Sequence, residues 1–176
     1  AVPQGWVDGA NYLNDSTVGL VLRAPGKEFV YLLGDFNNFL PNTAHFMNKS
    51  VDGQRFWIQI SVTPGQTYAY QYWIDGAIKI ADPFAELVLD PGADAGIPAG
   101  TWPGLHPYPT GKTTGFCSLM RPGKTEYVWK NTNFAPPGKA DLIIYELLVR
   151  DFIAARNYQA LIDTLGYLQR LGINAI

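Results

Sequence analysis

The chain has 176 residues, of which 47% are hydrophobic and 16% charged, and its formal net charge is −2 at pH 7. This composition is that of a globular protein with a buried core, and it excludes an intrinsically disordered chain. The nearly neutral charge balance offers no basic surface to nucleic acid or anionic lipid, and no apolar stretch is long enough to span a bilayer.

The first half of the chain has the pattern of short β-strands. Apolar residues alternate with polar ones along Arg55–Val62 and Thr67–Ile74, and two earlier apolar runs are Val18–Arg23 and Glu28–Gly34. Turn residues separate these runs, among them the Asp75-Gly76 pair that is favoured in tight hairpins. Short strands with a turn about every ten residues predict an antiparallel β-sandwich.

The segment from residue 91 to residue 140 is rich in Gly and Pro, which disfavour long regular elements. It also contains aromatic residues such as Trp102 and Trp129, which can anchor it to a packed surface. We therefore expect an ordered connection rather than a flexible linker, with short strands at Phe116–Met120 and Thr125–Trp129.

The last segment predicts one βαβ unit. Leu142–Val149 is almost entirely apolar, as in a strand buried on both faces. A helical apolar pattern follows, with Asn157 as its expected N-cap and Gly172 just beyond its end, and residues 173–176 open a second apolar strand. Because a βαβ unit needs a larger parallel sheet to cover it, we expect the chain to be a fragment.

The predicted fold is therefore mainly β. A β-sandwich is expected over residues 1–90, an ordered Pro/Gly-rich connection over 91–140 and a truncated βαβ unit over 141–176.

The residues that often carry chemistry have simpler interpretations here. Cys117 is the only cysteine, so it forms no internal disulfide, and a small buried thiol is expected. His45 and His106 are far apart without ligand-spaced companions, so no metal site is predicted. Acids such as Asp75 and Asp82 neighbour Gly or Pro and are explained by turns.

Three segments, in order, resemble the α-amylase superfamily, glycoside hydrolase family 13. The first comprises GDFNNF at 34–39, YQYWIDG at 70–76 and ADP at 81–83, and it is similar to the amino-terminal family 48 carbohydrate-binding-module type domain of glycogen-branching and debranching enzymes. Asp141–Phe152 is similar to the first strand of that superfamily's catalytic (β/α)8 barrel. Leu165–Ile176 is similar to the end of the first barrel helix and the start of the second strand. The resemblance implies that the sandwich over residues 1–90 is immunoglobulin-like and that residues 141–176 are the truncated βαβ start of a (β/α)8 barrel.

The resemblance implies that the parent protein is an enzyme acting on α-glucans of the starch or glycogen type, by a retaining mechanism with two carboxylates. In the family those carboxylates follow later barrel strands, so no catalytic residue is assigned here and the fragment itself is expected to be inactive. Glu146, Arg150 and Asp151 are expected to brace the barrel. The chain is expected to hold no cofactor or metal, although the parent could hold calcium.

Phe39, Trp57 and Trp73 are the candidate substrate-binding residues, because sugar rings stack on exposed aromatic side chains. The alternation places Trp57 and Trp73 away from the expected core. By resemblance, glucan-binding modules of this type carry Trp at the position of Phe39, Lys near Gln71 and a second Trp near Ile78. Only the first position is aromatic here, which favours packing between domains over autonomous glucan binding.

Several alternatives remain open at this stage. The chain could be a non-catalytic glucan-binding module or a sandwich used only for protein contacts, and the parent could be a branching or debranching enzyme. The expected partner is an α-glucan polysaccharide or oligosaccharide, and an uncovered βαβ unit also favours self-association of the fragment. Periplasmic, extracellular and cytoplasmic locations, all known for bacterial members, are equally compatible.

Overall fold

Segments in which apolar and polar side chains alternate form strands in the first part of the chain, and a helical spacing of apolar residues occurs only near the end. The structure is a computed structural model, and it describes residues 1–176. Its strands are β1 (Gly9–Asn14), β2 (Thr17–Arg23), β3 (Val30–Gly34), β4 (Asn48–Lys49), β5 (Arg55–Ser61), β6 (Tyr68–Ile74), β7 (Ile78–Ile80), β8 (Leu87–Leu89) and β9 (Cys117–Met120). Its α-helices are α1 (Val149–Phe152) and α2 (Tyr158–Arg170).

The strands form two antiparallel sheets. Sheet A has the order β1-β2-β5-β4, and sheet B has the order β3-β6-β9-β8, with β7 also paired to β6. The predicted β-sandwich is therefore confirmed. The Asp75-Gly76 pair turns β6 into β7, as predicted, with φ angles of 51° and 69° that suit a tight hairpin.

The hydrophobic core is formed by inward-facing residues of both sheets. Sheet A contributes alternate residues of β2 and β5, and sheet B contributes alternate residues of β3 and β6. The largest fully buried side chains among them are Tyr70, Tyr72, Phe56, Leu20 and Leu32.

A buried carboxylate lies beside the two core tyrosines. The hydroxyls of Tyr70 and Tyr72 donate to Asp82 Oδ2 at 2.9 and 3.0 Å, and the Asp82 backbone N–H donates to Ser118 Oγ at 2.6 Å. Burial raises the pKa of both tyrosine hydroxyls, which keeps them protonated as donors. This network ties β6, β9 and the segment after β7 together.

Helix α2 begins and ends where the sequence predicts. Asn157 Oδ1 accepts a hydrogen bond from the Ala160 backbone N–H at 2.9 Å, as an N-cap does. At the other end Gly172 has a φ of 82°, the left-handed conformation that glycine adopts most easily after a helix.

The strand predicted over Leu142–Val149 is wrong in extent. Only Ile144 pairs, through a single parallel bridge to Ala175, and Val149 already begins α1. The Asn174 side chain reinforces this contact by accepting from the Ile143 backbone N–H at 2.7 Å. Burial on both faces is also wrong, because Ile144 is 67% exposed. One bridge supplies too few neighbours to cover an apolar run.

The Pro/Gly-rich segment contains one of its two predicted strands. The predicted strand at Phe116–Met120 is present as β9, which pairs with β6 and β8 inside sheet B. The strand predicted at Thr125–Trp129 is wrong, since these residues pair with no strand and are exposed.

The chain divides into two compact units. Unit 1 comprises Ala1–Gly96 and His106–Glu126 and contains the sandwich, and unit 2 comprises Ile97–Leu105 and Tyr127–Ile176 and contains α1 and α2. The predicted boundaries at residues 90 and 140 remain predictions. None of the helices is both long enough and apolar enough to cross a membrane.

Replacing Asp82 with alanine is expected to lower the free energy of unfolding by about 2–4 kcal/mol, because two buried hydroxyls and a backbone N–H at Phe84 lose their acceptor. Asp15→Ala is the matched control, since Asp15 is exposed, and it should change stability by less than about 0.5 kcal/mol. Urea unfolding followed by tryptophan fluorescence measures both. Equal, small losses in the two variants would contradict this role of Asp82.

Candidate functional site

The GDFNNF segment folds into a compact turn in which side chains bond to the backbone. Asn37 accepts from the Gly34 N–H and donates to the Leu32 carbonyl, both at 2.9 Å. Asp35 Oδ2 accepts from the Ala69 N–H at 2.7 Å, which links the turn to β6. These polar residues therefore have a structural role.

Phe39, the first predicted substrate-binding residue, ends this turn with its ring in the interior. The side chain is 2% exposed. Its φ of 58° is unusual for a bulky residue and is held by a 2.9 Å hydrogen bond from its N–H to the Gly34 carbonyl. In this arrangement the ring has no face free for stacking on a sugar.

Trp57, the second predicted residue, lies on the outer face of sheet A. The edge of Trp6 meets it with ring centroids 5.9 Å apart and an interplanar angle of 88°. Trp6 also packs directly on Gly19, where an added Cβ would lie 2.4 Å from the indole. Trp57 is consequently half-buried by the N-terminal segment.

Trp73, the third predicted residue, lies on the outer face of sheet B among other aromatic rings. Its cross-strand neighbour Tyr31 has its ring centroid 6.0 Å away, and Tyr31 in turn meets Phe46 at 4.9 Å and Phe29 at 5.9 Å. We call Phe29, Tyr31, Phe46 and Trp73 the aromatic patch. Phe46 is 46% exposed, so the patch is open to solvent.

The structure thus separates the three predicted residues. Trp57 and Trp73 lie on the outer faces of different sheets and cannot contact the same ligand surface, while Phe39 is buried. The residues that do accompany Trp73 were not predicted. Phe29 and Tyr31 could have been found from their period-2 spacing along the predicted run Glu28–Gly34, whereas Phe46 comes from an irregular loop that carries no such signal.

Asp75 holds one edge of the aromatic patch in place. Its Oδ1 accepts hydrogen bonds from the N–H groups of Phe29 and Glu28 at 3.1 and 2.8 Å, and Lys27 Nζ lies 3.8 Å from Oδ2. The hydrogen bond from Phe29, aided by that from Glu28 and by the charge of Lys27, lowers the pKa of Asp75. The carboxylate therefore positions Phe29 from the neighbouring hairpin turn.

Beyond Trp73, the outer face of sheet B is covered by residues 113–116. Gln71 is fully buried there, and its amide donates to the carbonyls of Thr114 and Phe116 at 2.9 and 2.6 Å. The Thr113 hydroxyl donates to Gln71 Oε1 at 2.6 Å and accepts from Lys79 Nζ at 3.3 Å. A ligand would have to displace this segment to reach Gln71.

The cysteine and the histidines occupy structural positions. Cys117 is fully buried as predicted, and burial raises the pKa of its thiol to about 11, which opposes formation of a thiolate. His45 stacks on Phe36 at 4.9 Å, and burial lowers its pKa. No three His, Cys, Asp or Glu side chains come together in the geometry of a metal site.

In unit 2, Arg150 and Asp151 form an exposed bidentate ion pair. The Nε–Oδ1 and Nη2–Oδ2 distances are 2.9 and 3.1 Å. The Arg150 hydrogen bonds and charge lower the pKa of Asp151. Glu146 is also exposed.

Comparison with known proteins gives one similar sequence, which belongs to an enzyme. The malto-oligosyltrehalose trehalohydrolase of Saccharolobus solfataricus is 26% identical over 101 residues, which are 56% of this chain and 16% of that protein. No protein-family model matches the chain.

Solved structures match a much larger part of the chain. The Group B Streptococcus pullulanase SAP has a TM-score of 0.63 and 21% identity over 96% of this chain, and it has also been solved with maltotetraose. The catalytic module of the glycogen-degrading pneumococcal protein SpuA has a TM-score of 0.61 and 22% identity, again over 96%. A Salmonella typhimurium protein with a provisional α-amylase assignment has a TM-score of 0.60 and 24% identity over 94%.

This chain spans about a quarter of each of those solved chains, between 23% and 26%. At this level of identity the structural likeness defines the fold, and the fold is the one that the sequence predicts. Over nearly its whole length the chain therefore shares its fold with solved structures that are named as a pullulanase, a glycogen-degrading protein and an α-amylase.

Proposed function

We propose that this chain is a non-catalytic, supporting part of an α-amylase-superfamily enzyme that acts on α-glucans. The observation that carries the proposal is the structural likeness to α-glucan enzymes, which covers the chain from the sandwich through to unit 2. A free-standing sandwich module would give no reason for a match that extends over 96% of the chain.

The acids of the chain support a non-catalytic role. Retaining glycosidases need two carboxylates about 5–5.5 Å apart, one free to attack and one free to donate a proton. Here Asp82 is buried under two tyrosine hydroxyls, Asp75 binds backbone N–H groups, and Asp151 is paired with Arg150. Each of these carboxylates already has a structural partner.

For the whole protein, the proposal is hydrolysis of starch- or glycogen-type α-glucans by the retaining two-carboxylate mechanism. The relatives favour this substrate class, since they include pullulanases, a glycogen-degrading protein and a trehalohydrolase. A parent that branches or debranches glucans is the alternative within the same superfamily, and the pullulanase matches favour debranching.

Residues 113–116 cover Gln71, and this favours a supporting role of the sandwich over binding of glucan polymer. By resemblance, glucan-binding modules of this type carry a lysine near this position to donate hydrogen bonds to sugar. Here residue 71 is an amide whose donors are both used by the chain's own carbonyls at Thr114 and Phe116. The polar group on that face is therefore already satisfied.

The aromatic patch is the observation that favours a second candidate, a sandwich that binds glucan. Exposed aromatic rings on an open sheet face are a typical stacking surface, and Phe46 and Trp73 are its accessible members. In this second candidate function, Trp73 binds the sugar together with Tyr31 and Phe46.

The chain alone is expected to release no reducing ends from pullulan, glycogen or soluble starch, because the carboxylates of Asp75, Asp82 and Asp151 are engaged in structural contacts. A reducing-sugar assay, run beside an active pullulanase as the positive control, measures this. Turnover above the blank that persists after repurification would contradict the non-catalytic role.

Affinity electrophoresis through gels containing glycogen tests the second candidate. If the aromatic patch has only a supporting role, Phe46→Ala and Trp73→Ala should both have the same mobility as the native chain. These variants are better probes than Phe39→Ala, because Phe39 is buried and its loss would disturb folding. Retardation of the native chain that both variants abolish would establish glucan binding at the aromatic patch instead.

Self-association of this 176-residue chain is also expected, since unit 2 exposes apolar side chains that include Ile143, Ile144, Leu148 and Ile162. Size-exclusion chromatography with light scattering should show a dimer or larger species that Ile144→Asp weakens. Leu40→Asp, which changes an exposed leucine of unit 1, is the control and should have no effect. A strictly monomeric chain with α2 ordered would contradict the expectation.

A further inference from the structure

A cleft of unit 1 lies at the sheet A side of the sandwich. It has a volume of about 680 Å³ and lies between the N-terminal segment and the turn that leads into β5. This volume is within the range of small-molecule sites. The side chains that the argument uses are Trp6, Asp8, Val51, Asp52 and Arg55.

Arg55 presents unused hydrogen-bond donors to this cleft in a fixed orientation. Its Nε and Nη2 donate to the two carboxylate oxygens of Asp8 at 2.7 and 3.3 Å. A guanidinium has five N–H donors, so the two used here leave three available. The bidentate contact fixes the plane of the guanidinium, and its side chain remains 38% exposed.

Asp52 presents an acceptor in the same cleft. Its Oδ1 accepts from the Ser50 hydroxyl at 2.5 Å and from the Gln54 N–H at 3.1 Å, while Oδ2 remains unbonded. The Ser50 hydrogen bond, helped by that from Gln54 and by the charge of Arg55, lowers the pKa of Asp52. The carboxylate is therefore ionised and oriented at neutral pH.

Trp6 and Val51 supply the apolar surface of the cleft. The Trp6 ring is held in place because it packs on Gly19 and makes an edge-to-face contact with the ring of Trp57. Val51 is 92% exposed and lines the cleft. An indole held in place beside polar groups can pack against the apolar face of a ligand.

The charges of the cleft restrict its ligand. An anion would meet the carboxylates of Asp8 and Asp52, and a cation would meet the guanidinium of Arg55. A hydroxyl group both donates and accepts, so Asp52 and Arg55 together satisfy it completely. The ligand that leaves no group unmatched is neutral and rich in hydroxyls, with one apolar face for the indole.

We propose that the cleft between the N-terminal segment and Arg55 binds a neutral saccharide, with one sugar ring packed on Trp6 and its hydroxyls bonded to Arg55 and Asp52. It is a separate surface from the aromatic patch, which lies on the other sheet. The choice of an α-glucan probe rests on the proposed function, whereas the site itself rests on the cleft.

Isothermal titration calorimetry of the whole chain with maltose tests the proposal. We expect weak, saturable binding with a Kd of about 1 mM, and we expect the indole N–H signal of Trp6 to shift in NMR spectra during the same titration. Maltobionate, the acid of similar size, should bind about tenfold more weakly, because it brings a carboxylate to Asp8 and Asp52.

Substitutions of residues that line the cleft test whether maltose binds there. Arg55→Gln should weaken maltose binding by about tenfold, since it removes the charged donors. Asp52→Asn should weaken maltose binding by about threefold to tenfold. Because asparagine has nearly the same shape as aspartate, this variant still tests the site if Arg55→Gln fails to fold. Asp15→Asn, at an exposed aspartate outside the cleft lining, is the matched control and should leave the Kd unchanged.

The proposal is overturned if the native chain binds no maltose at about 50 mM, or if Asp52→Asn and Arg55→Gln both bind as tightly as the native chain. It is also overturned if Trp73→Ala abolishes binding, which would place the sugar on the aromatic patch. None of these results bears on whether the chain hydrolyses glucan, so failure here is distinguishable from failure of the proposed function.

Discussion

Strand β6 is the element on which the rest of the sandwich depends. It pairs with β3, β7 and β9, and it buries residues on both of its faces. Tyr70 and Tyr72 point into the core and bond to Asp82, whereas Gln71 points outward and bonds to residues 113–116. One strand therefore fixes both the interior of the sandwich and the covering of its outer face.

This arrangement explains why two surfaces of unit 1 differ in character. On sheet B, the 113–116 segment satisfies Gln71, and the aromatic patch beside it stays open. On the sheet A side, the N-terminal segment covers Trp57 but leaves a cleft in which Arg55 and Asp52 keep unused polar groups. The two surfaces therefore differ in chemistry, with packed aromatic rings on sheet B and charged groups beside an indole on the sheet A side.

The sequence predicts the parts of this structure that follow from local pattern. Period-2 alternation is enough to find β5 and β6, and cap residues are enough to place α2, because Asn157 and Gly172 act through neighbouring backbone groups. The burial of Phe39 could not be predicted, since it depends on a left-handed turn closed by Gly34. The cleft at Arg55 was also missed, because it joins residues 47 positions apart in sequence.

The most direct test of this account is a crystal structure of the chain soaked with maltotetraose. The account predicts that residues 113–116 stay hydrogen-bonded to Gln71 and that the sugar lies in the cleft beside Trp6 and Arg55. Sugar bound over Gln71 with the 113–116 segment displaced would contradict it, because the outer face of sheet B would then be a binding surface.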